Sequence, residues 1–126
     1  MESIMADFTP TLYLKDKCPF CFKVRIALVE AGLFDKVNVR EFVPGDDEEA
    51  AIRETLAPHF EKVTFPAAEV APGKFVADSD GITAQLLATV GKKPEDMTAL
   101  GAYLRGPFAS IMTLYKENSE LKKQLA

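Results

Sequence analysis

Thr11-Leu12-Tyr13-Leu14-Lys15-Asp16-Lys17-Cys18-Pro19-Phe20-Cys21 is the stretch that decides the fold. Thr11 to Leu14 is a short apolar run suited to a strand. Pro19 suits the first turn of a helix, where its missing N–H would have no intrahelical partner. From there to Ala31 the residues favour helix, and Gly32-Leu33 supplies a stop. A strand therefore hands over to a helix, with two cysteines in its opening turn. The helix carries two apolar stripes: Phe22, Ile26 and Val29 on one side, Val24, Ala27, Leu28 and Ala31 on the other. Such a helix needs cover on both sides. One side can face a sheet; the other requires a further element or a partner.

Downstream, Val37 to Phe42 alternates as a second strand, and Pro44-Gly45 makes a turn. Asp46-Asp47-Glu48-Glu49 opens a second helix with acids that suit the helix macrodipole, and Ala57-Pro58 ends it. Val63 to Val70 is extended, Ala71-Pro72-Gly73-Lys74 is a hairpin turn and Phe75-Val76-Ala77 returns. Asp78-Ser79-Asp80 provides capping side chains for a helix running from Gly81 to Val90. A last helix starts at Pro94-Glu95-Asp96. Its stripe is Met97, Leu100, Leu104, Phe108, Ile111, Met112 and Tyr115; Gly106-Pro107 should kink or break it, and the tail beyond Lys116 should fray. The order β-α-β-α-β-β-α plus a C-terminal helix predicts an α/β fold. Its mixed sheet has a parallel first βαβ unit, a closing hairpin and helices on both faces.

Composition narrows the function. The 126 residues suit one domain, 48% hydrophobic and 27% charged, with no apolar run of membrane-spanning length. The net charge of −4, without a basic cluster, is the wrong balance for a nucleic acid partner. The acidic start Met1-Glu2-Ser3-Ile4-Met5-Ala6-Asp7 lacks the features of a signal peptide, so the expected location is cytoplasmic. That compartment disfavours a structural disulfide. Two cysteines and one histidine fall one ligand short of a four-ligand zinc site, and no metal is expected. Two ordinary buried cysteines are a further reading of the pair. The redox reading fits the position better. Free N–H groups and partial positive charge at a helix N-terminus stabilise a thiolate, and Lys15 and Lys17 add charge nearby. Cys18, at the tip, is then the nucleophile, and Cys21, one turn inside, the resolving thiol.

The chain resembles the thioredoxin-fold domain shared by glutaredoxins and the N-terminal half of glutathione S-transferases. Cys18-Pro19-Phe20-Cys21 is similar to the glutaredoxin C-P-Y-C, with Phe20 where tyrosine is usual. Thr64-Phe65-Pro66 resembles the T-V-P segment with a cis proline, and Asp78-Ser79-Asp80-Gly81-Ile82 the transferase stretch E/D-S-x-x-I. The resemblance covers about residues 10 to 90, and Thr83 to Leu104 resembles the linker and first helix of a transferase's second domain. It implies a thioredoxin-like domain over 8–92 and a helical extension over 93–126.

The resemblance also implies a glutathione site. The cysteine moiety would pair with the backbone of Phe65, before Pro66. The γ-glutamyl end would meet Asp78 and Ser79, and the glycyl carboxylate Lys15 or Lys17. Asp78 and Ser79 equally fit plain helix capping, and Lys15 and Lys17 plain solvated charge. His59 and the tyrosines Tyr13 and Tyr115 read as surface or packing residues, and Met97 and Met112 as core.

The expected activity is glutathione-dependent reduction of protein or small-molecule disulfides, with glutathione as co-substrate. The alternatives are a small glutathione S-transferase, for which residues 94–126 offer little enclosure, and a non-catalytic protein-binding module. The last helix is expected to pack its stripe on the second face of the first helix. If that stripe stays exposed, it is a homodimer surface.

Overall fold

The computed structural model describes residues 8–125, so the reading of Met1 to Asp7 lies outside the described residues. Strands β1 (Thr11–Lys15), β2 (Asn38–Phe42), β3 (Ala67–Ala71) and β4 (Lys74–Val76) form one sheet in the order β2-β1-β3-β4. β1 and β2 are parallel, and β3 is antiparallel to both β1 and β4. The helices are α1 (Pro19–Glu30), α2 (Asp47–Leu56), α3 (Ser79–Ala88), α4 (Thr98–Arg105) and α5 (Pro107–Leu125). This is the expected mixed α/β, thioredoxin-like order with an added helical C-terminus. Among the described residues no helix is long and apolar enough to cross a membrane.

Alternation along β1 divides the core. Leu12 and Leu14 face one cluster, which holds Val24, Ala27 and Leu28 of α1, Ile82, Leu86 and Leu87 of α3, and Leu100 of α4. Tyr13 faces the other way, into a smaller cluster with Phe42, Ala67, and Ile52 and Leu56 of α2. Successive strand side chains point to opposite faces, so one apolar run serves both layers. Tyr13 is therefore a packing residue, as its sequence context suggests.

Two boundaries differ from expectation, and one break falls where it was expected. The extended segment from Val63 joins the sheet only at Ala67, because Pro66 has no N–H to give a ladder. The last helix is broken at Gly106-Pro107 as expected: Gly106 departs from helical geometry (φ −105, ψ −98) and Pro107 restarts the chain as the first residue of α5. The tail does not fray at Lys116. Helix α5 runs to Leu125, through Glu117, Glu120, Leu121, Lys122, Lys123 and Gln124, all strong helix formers.

Helix α4 covers part of the second face of α1. Met97 and Leu100 are buried there, whereas Ile111 and Tyr115 of the expected stripe are exposed. The Glu30 carboxylate, at the end of α1, accepts from Thr98 Oγ1 (3.0 Å), Ala99 N (2.9 Å) and Leu100 N (3.0 Å). One side chain thus supplies the acceptors that the first turn of α4 lacks. These bonds hold the Glu30 carboxyl below its ordinary value, Ala99 N–H contributing most.

Candidate functional site

Cys18 is the N-cap residue of α1, with extended backbone (φ −104, ψ 122) and Pro19 following in the first turn. Its Sγ takes the place that an Asp or Ser oxygen fills at most helix starts: the Cys21 N–H donates to it at 3.4 Å. The preceding residue, Lys17, has φ 60, the left-handed turn that redirects the chain from β1 into α1. Cys21 lies one turn in and is buried, and its Sγ accepts the Lys15 N–H at 3.3 Å.

The two thiols are driven apart. Cys18 falls from the ordinary 9.0 to about 6: the Cys21 thiol donating to it is the main cause, partial burial opposes, and the Cys21 and Phe20 N–H groups and the Lys15 charge assist. Cys21 is pushed far up, first because its proton is held by the Cys18 sulfur and second by burial. One sulfur is thus a thiolate at neutral pH and the other its proton donor.

A cleft of about 550 Å³ opens beside Cys18. Lys15, Asp16, Lys17, Cys18, Pro19 and Cys21 form one side. Phe22 and Arg25 of α1, Glu41 of β2, Tyr103 of α4, and Pro107 and Ile111 of α5 form the remainder. Arg25 is tied to Glu41 at 2.7 Å.

Of the residues singled out from sequence, the cleft gathers Lys15, Lys17, Cys18 and Cys21. Phe20 does not line the cleft: it meets Phe108 of α5 edge to face, centroids 5.4 Å apart, and is partly exposed. Thr64, Phe65, Pro66, Asp78 and Ser79 do not line the cleft. The strand register nonetheless puts them at the same end of the sheet. β1 and β3 are antiparallel with Tyr13 opposite Ala67, so the residues after Tyr13 run beside those before Ala67. β4 returns with Val76 opposite Ala68, so Asp78 and Ser79 follow at that end too. The Phe65–Pro66 peptide is cis. Phe65 packs on Phe42 (centroids 4.7 Å apart), Pro66 is buried and Thr64 is exposed. Asp78 caps α3, accepting from Gly81 N at 2.9 Å, and Ser79 is buried.

Two residues were missed. Tyr103 is buried, and its hydroxyl donates to the Pro19 carbonyl at 2.9 Å. Burial, followed by the nearby Cys18 charge, raises its pKa, so it remains a donor at neutral pH. The signal for it in the sequence is its place three residues after Leu100, on the same face of the helix. Lys23 is also buried: it pairs with Asp80 at 3.0 Å and lies over the rings of Phe108 (4.9 Å) and Phe20 (5.5 Å). A lysine set between two apolar stripes of a helix carries no sequence signal of burial.

A family model described as glutathione S-transferase, N-terminal domain, matches residues 12–94. Among solved structures, a possible glutathione S-transferase from Rhodopseudomonas palustris is 30% identical, with a TM-score of 0.48, over 68% of this chain and 41% of that one. Glutathione transferase Omega 2C from Trametes versicolor is 26% identical, with a TM-score of 0.46, over 65% of this chain and 37% of that one. The chain thus spans less than half the length of either. No curated protein matches the sequence.

Proposed function

The chain belongs to the glutathione S-transferase N-terminal-domain family, and from that premise we propose that it is a glutathione-dependent thiol–disulfide oxidoreductase. The observation that carries this reading is the Cys18 sulfur at the N-cap of α1, receiving the Cys21 N–H. With a pKa of about 6, Cys18 is about nine-tenths thiolate at pH 7.

The thiolate attacks the glutathione sulfur of a mixed disulfide. A bond forms between Cys18 Sγ and that sulfur, the substrate's own sulfur leaves as a thiolate, and solvent protonates it. A second glutathione thiolate then attacks the glutathionyl sulfur on Cys18. Oxidised glutathione departs, and Cys18 is again a thiolate. The alternative second step, attack by Cys21, needs that buried thiol to ionise first. Its burial, the second cause of the raised pKa and the one that persists once Cys18 carries glutathione, favours the route through a second glutathione. In this reading the glutathione peptide pairs with the Phe65 backbone, its γ-glutamyl group meets Asp78 and Ser79, and Lys15 or Lys17 meets the glycyl carboxylate.

The test is glutathione-dependent reduction of a small mixed disulfide, coupled to glutathione reductase. Cys18→Ser should abolish turnover and Cys21→Ser should retain it; equal loss in both would refute the division of roles.

The cleft favours a second reading. Phe22, Tyr103, Pro107 and Ile111 give it apolar walls next to the thiol site, as a transferase needs for a hydrophobic electrophile. Conjugation of glutathione to a chloronitroaromatic compound, without disulfide turnover, would select that reading.

A further inference from the structure

The peptide between Pro19 and Phe20 is held on both of its sides. It is planar and trans, so its carbonyl and its N–H point in opposite directions. The N–H faces the Cys18 sulfur, beside the Cys21 N–H that donates to the same sulfur at 3.4 Å. The carbonyl accepts the Tyr103 hydroxyl at 2.9 Å. A carbonyl oxygen has two lone pairs, so one serves the helix ladder and the other takes the phenol. The phenol is aimed from two sides: Phe22 meets its ring edge to face with centroids 5.4 Å apart, and Phe108 meets it tilted at 5.6 Å.

We propose that Tyr103 is a positioning residue for Cys18: its hydroxyl fixes and polarises the Pro19–Phe20 peptide, whose N–H faces the Cys18 sulfur. The chain of groups runs O–H to O=C, then through the amide to N–H and the sulfur. A hydrogen bond accepted at the carbonyl draws electron density from the amide nitrogen and makes its N–H a stronger donor. A stronger donor favours the thiolate over the thiol. Anchoring of α4 does not require this bond, because the Glu30 carboxylate already accepts three hydrogen bonds from the first turn of that helix. The influence also runs the other way, since the Cys18 charge reaches Tyr103 and helps to keep its phenol protonated.

The proposal rests on Cys18 as the attacking thiolate, but it is read by titration and not by turnover. Hydrogen-bond chains strengthen each member by about 10–30%, and a bond to a charged sulfur is among the stronger kinds. Tyr103→Phe should therefore make Cys18 about two- to threefold less acidic, a rise of about 0.3–0.5 in its midpoint. This is smaller than the change that removal of the Cys21 thiol should cause. The charged groups that line the cleft (Lys15, Asp16 and Lys17 before α1, Arg25 on it and Glu41 of β2) are the same in every variant.

The experiment is thiolate absorbance against pH, with iodoacetamide alkylation as a second readout, on the reduced full chain. Three variants are compared with wild type: Tyr103→Phe, 3-fluorotyrosine placed at position 103, and Glu30→Ala. The fluorinated phenol is a stronger donor, is still protonated where Cys18 titrates, and keeps both ring and hydroxyl. It should lower the Cys18 midpoint while Tyr103→Phe raises it. Glu30→Ala loosens α4 without removing the hydroxyl and should leave the midpoint in place. The Phe20 amide proton resonance should move upfield in Tyr103→Phe. An unchanged midpoint near 6 in folded Tyr103→Phe overturns the proposal and leaves the thiolate reading intact. A rise in Glu30→Ala equal to that in Tyr103→Phe, or a rise with the fluorinated phenol, assigns the effect to packing and overturns it too. A wild-type midpoint near 9.0 overturns the thiolate reading itself, and this inference with it.

Discussion

Replacing Cys21 with alanine isolates the interaction that sets the acidity of Cys18. The fall from 9.0 to about 6 is a thousandfold change in proton affinity. Several groups share it, with the Cys21 thiol first, then its N–H, the Phe20 N–H and Lys15. Cys21→Ala removes only the thiol; the backbone N–H and the helix N-terminus remain. A hydrogen bond to a charged group contributes about 1.5–3 kcal/mol, and the partly open site argues for the low end. The expected result is a Cys18 about tenfold less acidic, shifted back toward 9.0 by about one pH unit. Cys21→Ser keeps a donor in place and should fall between the two. The assay is the rate of alkylation by iodoacetamide against pH, with thiolate absorbance as a second readout. Wild type should titrate near pH 6. The sign carries over to stability. The folded thiol releases its proton at a lower pH than the unfolded one, so the reduced protein should gain stability relative to Cys18→Ser from about pH 6 to about pH 8.5 and lose that gain as pH falls through 6. An unchanged midpoint in Cys21→Ala would show that the helix terminus and Lys15 alone set the thiolate, and would refute the pairing of the two sulfurs.

Three further outcomes follow from the packing around α1. Tyr103→Phe removes only the hydroxyl that donates to the Pro19 carbonyl and should cost about 1 kcal/mol in denaturant unfolding, with the cleft-lining ring retained. Glu30→Ala should free the start of α4, read as faster amide hydrogen exchange at Ala99 and Leu100. Because the Glu30 pKa is lowered, wild type should show the same loosening only below about pH 4.5, as protonation removes the acceptor. Leu28→Ala, at a fully buried position between α1 and its neighbours, should cost about 2–5 kcal/mol, and a smaller loss would mean that the site collapses on the gap.

What could be read from the residues depended on whether the signal was local. The strand-to-helix handover at Cys18, the capping by Asp78 and the hairpin at Pro72-Gly73 depend on backbone chemistry within a few residues, and each stands where expected. The division of α1 into faces was only half legible. Val24, Ala27 and Leu28 are buried as anticipated, but Phe22 and Val29 are largely exposed, because α4 is too short to cover the whole second stripe. Lys23 shows the opposite error. A charge on a helix reads as solvent-facing, yet here two aromatic rings and a carboxylate, contributed from three helices, make a buried ammonium tenable. No pattern within α1 encodes partners that lie 57 and 85 residues away in sequence. The thiol acidity was legible in direction from the helix terminus. Its largest cause, the Cys21 proton, required the geometry.

The first turn of α1 serves two purposes, and this bears on how the site is controlled. The Pro19 carbonyl holds Tyr103 of α4, and the Phe20 ring holds Phe108 of α5. Lys23, on the next turn, fastens Phe108 to Asp80 of α3. These residues alternate with Cys18 and Cys21 along the same few turns. The N–H groups of Phe20 and Cys21 that act on the Cys18 sulfur therefore belong to peptides gripped on their outer side by the helical extension. A displacement of α5 by a few tenths of an ångström would act first on Phe108 and through it on Phe20. Hydrogen bonds to sulfur weaken with small changes of length and angle. The extension is thus mechanically joined to the turn that sets the thiolate, and whatever packs on α5 has a short physical route to the reactivity of Cys18.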